Sequence, residues 1–159
     1  MIISQPISLV EQARVLGKMY PNAEVQLLSS NAFFYEPNLP QLDWQLVFRQ
    51  ISFPKDAELS VLMCDIKLRP KVMSREYWVR IIYKVGQRPL VYVKFPKLSY
   101  RRINPLPHFN SDNTLCLYHG PKEWDGTMLL AETIVPWSSE WLFHYEIWEG
   151  IEDWCGGGV

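Results

Sequence analysis

The chain has 159 residues, 48% of them hydrophobic and 21% charged, enough for one domain to bury a core without metal or disulfide staples. Sixteen Lys and Arg against 17 Asp and Glu leave a net charge of -1, which excludes a global electrostatic pull onto nucleic acid or an anionic membrane. The three separated cysteines, Cys64, Cys116 and Cys155, match neither a disulfide framework nor a zinc site, and point to a reducing, cytoplasmic compartment.

Met1 to Val10 lacks a basic stretch followed by a sustained apolar run, and no segment reaches the ~18 to 20 apolar residues of a membrane span. A soluble, unprocessed chain is expected. Leu9, Val10, Ala13, Leu16 and Met19 recur at helical spacing between Ile7 and Met19, and Tyr20-Pro21-Asn22 ends the run. Strands are expected over Glu24 to Leu28, Trp44 to Ile51, Val61 to Leu68, Tyr77 to Lys84 and Leu90 to Phe95. Asn31 to Asp43 and Pro54 to Asp56 read as loops.

In the fourth of these strands Tyr77, Val79, Ile81 and Tyr83 alternate with Trp78, Arg80, Ile82 and Lys84, so the two sets occupy opposite faces. Gly86-Gln87-Arg88-Pro89 supplies a turn, and the flanking strands should form an antiparallel hairpin. Beyond Pro96 the strand pattern stops until about Tyr118. The stretch is rich in Pro, Asn and His but closes on the apolar Leu115-Cys116-Leu117, which favours an ordered, functional loop. Helical spacing returns from Thr127, a candidate N-cap, through Val135, where Pro136 interrupts it. A last helix follows Ser138 and places Trp141, Tyr145 and Trp148 on one face. Helix, antiparallel meander, structured loop and C-terminal helices describe a single α+β domain spanning residues 1–159. Twelve prolines, seven tryptophans and eight tyrosines imply a densely packed small core.

Taken alone, a cysteine between two leucines is a small buried hydrophobe. The surroundings of Cys116 change that reading. The segment Leu106-Pro107-His108-Phe109-Asn110-Ser111-Asp112-Asn113-Thr114-Leu115-Cys116-Leu117, with Trp124 eight residues past the cysteine, resembles the active-site segment of ubiquitin-conjugating enzymes. That family carries a His-Pro-Asn motif, a turn glycine, and then an apolar residue, the catalytic Cys and Leu. On this pattern Pro107 takes the motif proline, His108 the Asn position, Asn113 the turn glycine, Cys116 the nucleophile and Trp124 the family tryptophan. Asn is a sensible replacement for Gly where the backbone needs positive φ. Leu115-Cys116-Leu117-Tyr118, the Leu130 to Trp141 run and the tail from Tyr145 to Gly158 resemble compact bacterial members associated with CBASS antiphage systems.

The resemblance implies a ubiquitin-conjugating-enzyme-like fold and a transferase without metal or organic cofactor. Cys116 would accept a protein C-terminus as a thioester from a ubiquitin-activating-like enzyme and pass it to an amine. The cargo would be a cGAS-like nucleotidyltransferase or a ubiquitin-like protein, and the setting bacterial antiviral defence. A thiolate suits both halves of that exchange, since it attacks a thioester and leaves well. His108 stands where the family places its oxyanion-stabilising Asn, and as an imidazole it can also exchange a proton near neutral pH or simply order the turn. Two alternatives stay open: a conjugating-fold binding module without turnover, and a cysteine hydrolase, for which His108 or His119 would have to fold back onto Cys116.

The remaining features have simpler readings. Asn110 and Asp112 are turn residues, and His119 and His144 lack spaced ligand partners and fit surface or packing roles. Trp137, Trp141, Tyr145, Trp148 and Trp154 are expected in the core. Lys94, Lys97, Arg101 and Arg102 form a basic run, a solvated face by default and otherwise a steering patch for an acidic partner. Gly156-Gly157-Gly158-Val159 reads as a flexible tail, and Cys64 and Cys155 as structural.

Overall fold

The computed structural model describes residues 4–29, 59–99, 105–151 and 153–154. The expected strand from Trp44 to Ile51, the loops on either side of it, Arg101, Arg102, Cys155 and the glycine tail lie outside the described residues. Helix α1 (Leu9–Met19) is followed by β1 (Glu24–Ser29), β2 (Leu59–Leu68), β3 (Tyr77–Tyr83) and β4 (Leu90–Phe95), and α2 (Ile134–Ile151) comes last. The strands form a sheet in the order β1-β2-β3-β4 with every neighbour antiparallel. The α+β class and the meander are therefore as the sequence implies.

Ser8 caps α1 by accepting a hydrogen bond from the Glu11 N–H at 3.2 Å, satisfying one of the helix's orphan donors. The helix ends at Tyr20, whose N–H reaches the Leu16 carbonyl at 2.9 Å. Its inner face buries Leu9, Gln12 and Leu16. In the sheet the alternation holds: Tyr77, Val79, Ile81 and Tyr83 join Leu62, Cys64, Ile66, Val91, α1 and α2 in one apolar core. On the opposite face Val61, Met63, Ile82 and Tyr92 are buried as well. That face also holds Arg80, which grips its cross-strand partner Asp65 through two hydrogen bonds of 2.7 and 2.8 Å. The pairing is what keeps a guanidinium tolerable at 1% exposure.

The C-terminal region differs from expectation. A single helix, α2, replaces two, and Thr127 to Val135 is a series of turns up to Ile134. The Met128 carbonyl, which a helix would have used, has another partner, Glu132 and Thr133 close turns on Leu129 and Leu130, and the neighbouring groups are tied to the N-terminal segment. The Gly126 carbonyl accepts from the Ile7 N–H at 2.8 Å, the Leu130 N–H donates to Gln12 Oε1 at 2.9 Å, and the Met128 carbonyl accepts from Gln12 Nε2 at 2.9 Å. Pro136 does not interrupt α2, because it lies in the first turn, where an N–H has no helical acceptor to lose. The aromatic series behaves as core: Trp141, Tyr145 and Trp148 are buried, with Trp137 and Trp154 packed at the margin.

Candidate active site

The segment after β4 is tied to α2 before it reaches the motif. The Ser99 N–H donates to the Tyr145 hydroxyl at 2.7 Å, and Ser99 Oγ and Tyr145 Oη both donate to Glu149, at 2.8 and 2.7 Å. Arg75 reaches the same carboxylate. Together these donors hold Glu149 below the ordinary carboxylate range, against the burial that would raise it.

Residues 108–116 then fold back as a small hairpin. Phe109 bridges Leu115 in antiparallel fashion, the Asn110 N–H donates to the Thr114 carbonyl at 2.9 Å, and the Cys116 N–H donates to the His108 carbonyl at 3.0 Å. His108 and Cys116 therefore stand opposite one another at the open end of the hairpin. The turn at its tip needs a left-handed residue, and Asn113 supplies it with φ +66°, as its place in the glycine position implied. Asp112 accepts from the Thr114 N–H at 3.1 Å and pairs with Arg88 of the β3–β4 turn at 3.2 Å. Its Oδ1 also accepts from Thr114 Oγ1, and these contacts, that hydroxyl foremost, hold its carboxyl below the usual range despite partial burial. Asn110 and Asp112 thus do the ordinary work of turn residues. The returning arm joins the sheet where the Leu115 N–H meets the Val91 carbonyl at 3.0 Å.

His108 has an unforeseen conformation. Its φ is +52°, a region that costs an L-residue with a bulky side chain about 1–2 kcal/mol. The surroundings hold it there. Its carbonyl accepts a second hydrogen bond, from Trp141 Nε1 at 2.9 Å, and its ring packs on Trp154 at a centroid distance of 5.1 Å. Burial, reinforced by the nearby His119, lowers the imidazole pKa from 6.5, which favours its neutral form. Trp141, placed by sequence only in the core, is thus also a hydrogen-bond donor to the loop. Helical spacing shows which face it occupies but not where its N–H points.

Cys116 is partly exposed and carries a free thiol, whereas Cys64 is fully buried. Burial first, and the neighbouring Asp65 second, push the Cys64 thiol up to about 12, which leaves it protonated and inert as expected. Trp124 is 4% exposed, donates to Thr133 Oγ1 at 2.9 Å and packs edge-on to Tyr83. Its ring also lies 6.1 Å from that of Tyr118, two residues past the cysteine. It is a packing residue that fixes the exit from Cys116. His119 is exposed, and its N–H donates to Glu123 at 2.8 Å. Among the described residues no group of three or more His, Cys, Asp or Glu is placed to hold a metal. Among them, too, no helix is long and apolar enough to cross a membrane.

A four-stranded antiparallel sheet with two helices, and a partly exposed Cys116 on a braced loop beside the sheet, are compatible with an E2-like fold. The chain belongs to the Type II CBASS E2 protein family, whose model matches residues 44–159. The resemblance found in the sequence is thereby established at the family level, and with it an E2-like role in CBASS antiviral defence. No curated protein matches the chain significantly.

Proposed function

We propose that Cys116 is the acyl-carrying nucleophile of an E2-type transferase, with His108 as its partner at the site. The thiolate of Cys116 attacks the thioester carbonyl of a protein C-terminus held by an activating enzyme. A new carbon–sulfur bond forms and the donor's thiolate leaves. An amine, a lysine of the acceptor, then attacks the Cys116 thioester, and the Cys116 thiolate leaves as the amide forms and the amine proton departs. The cargo suggested by the family is a cGAS-like nucleotidyltransferase, with a ubiquitin-like protein as the other candidate.

The observation that carries this reading is the hairpin that sets His108 opposite a partly exposed Cys116. A neutral imidazole there can donate one N–H to a developing oxyanion or take up the amine's proton. A cysteine hydrolase, the second reading, would need that imidazole within hydrogen-bond reach of the Cys116 thiol, whereas the bond between the two residues is a backbone one.

Mixing the protein with its activating enzyme and cargo separates these possibilities. Wild type should form a reductant-sensitive adduct on non-reducing gels, Cys116→Ser a reductant-resistant ester and Cys116→Ala none. Transfer that survives in Cys116→Ala would refute conjugation through this residue, and release of free cargo without amide product would favour hydrolysis. For His108 the backbone dictates the controls. Asn tolerates positive φ and Gly adopts it freely, but Ala does not. His108→Asn retaining most transfer identifies an oxyanion donor, whereas equal loss in His108→Asn and His108→Gly identifies proton transfer.

A further inference from the structure

Past the end of α2 at Ile151 the chain sets Trp154 against the site. Residues 153–154 are not helical, so this indole does not continue the buried face that Trp141, Tyr145 and Trp148 fill at helical spacing. Its ring meets three others, Trp141 at 5.4 Å, His144 at 5.9 Å and His108 at 5.1 Å between centroids, tilted by 56°, 47° and 45°. The first two lie one turn apart on α2 and seat the indole. The third is the residue opposite the nucleophile. Trp154 is half-buried, neither core nor free surface. The His108 main chain is already held by two hydrogen bonds on its carbonyl, from the Cys116 N–H at 3.0 Å and from Trp141 Nε1 at 2.9 Å. What Trp154 touches is the imidazole. That ring turns about two bonds, the second with only a broad preference, and bonds to the main chain leave both free.

We propose that Trp154 is a positioning residue of the site, which holds the His108 ring in one orientation and keeps water from the part it covers. The inference rests on the reading of His108 as the partner of Cys116 and adds how that ring is kept ready. An N–H donor or a base acts only where its nitrogen meets the reacting atoms, and misplacement by about 1 Å costs about 10²-fold. Covering the ring also disfavours its charged form. Burial is indeed the larger cause of the lowered His108 pKa, with His119 second. The titratable groups around the imidazole are Cys116, joined to it through the backbone bond, and His119, whose own N–H rests on Glu123. Around the indole they are His144, 3.7 Å from Glu140, and Asp153, its neighbour in the chain.

Two measurements on the full chain test this. The protein has three histidines, so its imidazole C–H resonances are few, and His108→Asn assigns the one required. In Trp154→Ala the His108 titration midpoint should rise toward 6.5, and in Trp154→Phe, which keeps a ring, it should move less. In transfer of cargo from Cys116 to an amine, Trp154→Ala should be about tenfold to a hundredfold slower, with most of the rate restored in Trp154→Phe. The same substitution made in His108→Asn protein should cost nothing further, because no imidazole is left to hold. Trp154→Leu, which keeps apolar bulk, takes the place of Trp154→Ala if urea denaturation shows that the alanine protein does not fold. An unmoved His108 titration, or equal slowing with and without His108, overturns the proposal and leaves Trp154 a packing residue. A wild type that transfers nothing refutes acyl transfer instead, and the titration alone then decides the role of Trp154.

Discussion

Replacing Trp141 by Phe isolates the link between α2 and the nucleophile loop. The indole N–H donates to the His108 carbonyl at 2.9 Å, and the ring stacks on Tyr145 at 5.7 Å with 7° between planes. The lost hydrogen bond is worth about 1 kcal/mol net, because the carbonyl keeps the Cys116 N–H as a donor and is not orphaned. The smaller ring adds about 1–2 kcal/mol for the space left in a packed site, so the total is about 2–3 kcal/mol by urea denaturation. Benzothienylalanine at the same position separates the two contributions, since it keeps the bicycle and lacks the N–H; it should cost only the ~1 kcal/mol of the bond. That loss is local, so amide hydrogen exchange at Cys116 should accelerate about fivefold in the isostere. If exchange at Cys116 is unchanged while global stability falls, Trp141 is a core residue only and does not brace the loop.

Gln12→Leu keeps the helix and the bulk but strands the Leu130 N–H and the Met128 carbonyl. It should cost about 2–4 kcal/mol in the same denaturation assay. At the hairpin tip, Asn113→Gly should be nearly neutral and Asn113→Ala should lose about 1 kcal/mol, read as a melting-temperature drop of about 2–4 °C. For His108 the folded pKa is depressed below 6.5. The unfolded chain therefore takes up the proton first as pH falls, and stability drops from just above 6.5 down through the folded pKa. His108→Gln should flatten that part of the pH–stability curve, and an unchanged curve would show that burial of the imidazole is not what the folded state resists.

Much of this was legible in the sequence because period and spacing are direct consequences of geometry. The alternation in Tyr77 to Lys84 placed four side chains in the core, and the interval between positions 108, 113 and 116 placed the turn residue at Asn113. The Thr127 to Val135 region was misread because its periodicity is real but its Met128 carbonyl and Leu130 N–H are held by Gln12, more than a hundred residues away in sequence. Local pattern carries no trace of such partners. The left-handed backbone at His108 was hidden for the same reason: His has no such preference strong enough to read, and the brace comes from Trp141 and Trp154.

Those distant partners also set an order of events. Gln12 and Tyr20 bond to Met128, Leu130 and Ala131 across separations of 111 to 118 residues, and such contacts form late because a long loop must close first. On the ribosome, α1 can meet β1 and β2 early, but its bonds to Met128, Leu130 and Ala131 must wait until most of the chain has emerged. The stretch that follows Cys116 cannot settle before then, so the braced thiol is among the last features to mature, and a nascent chain would not present a finished reactive site.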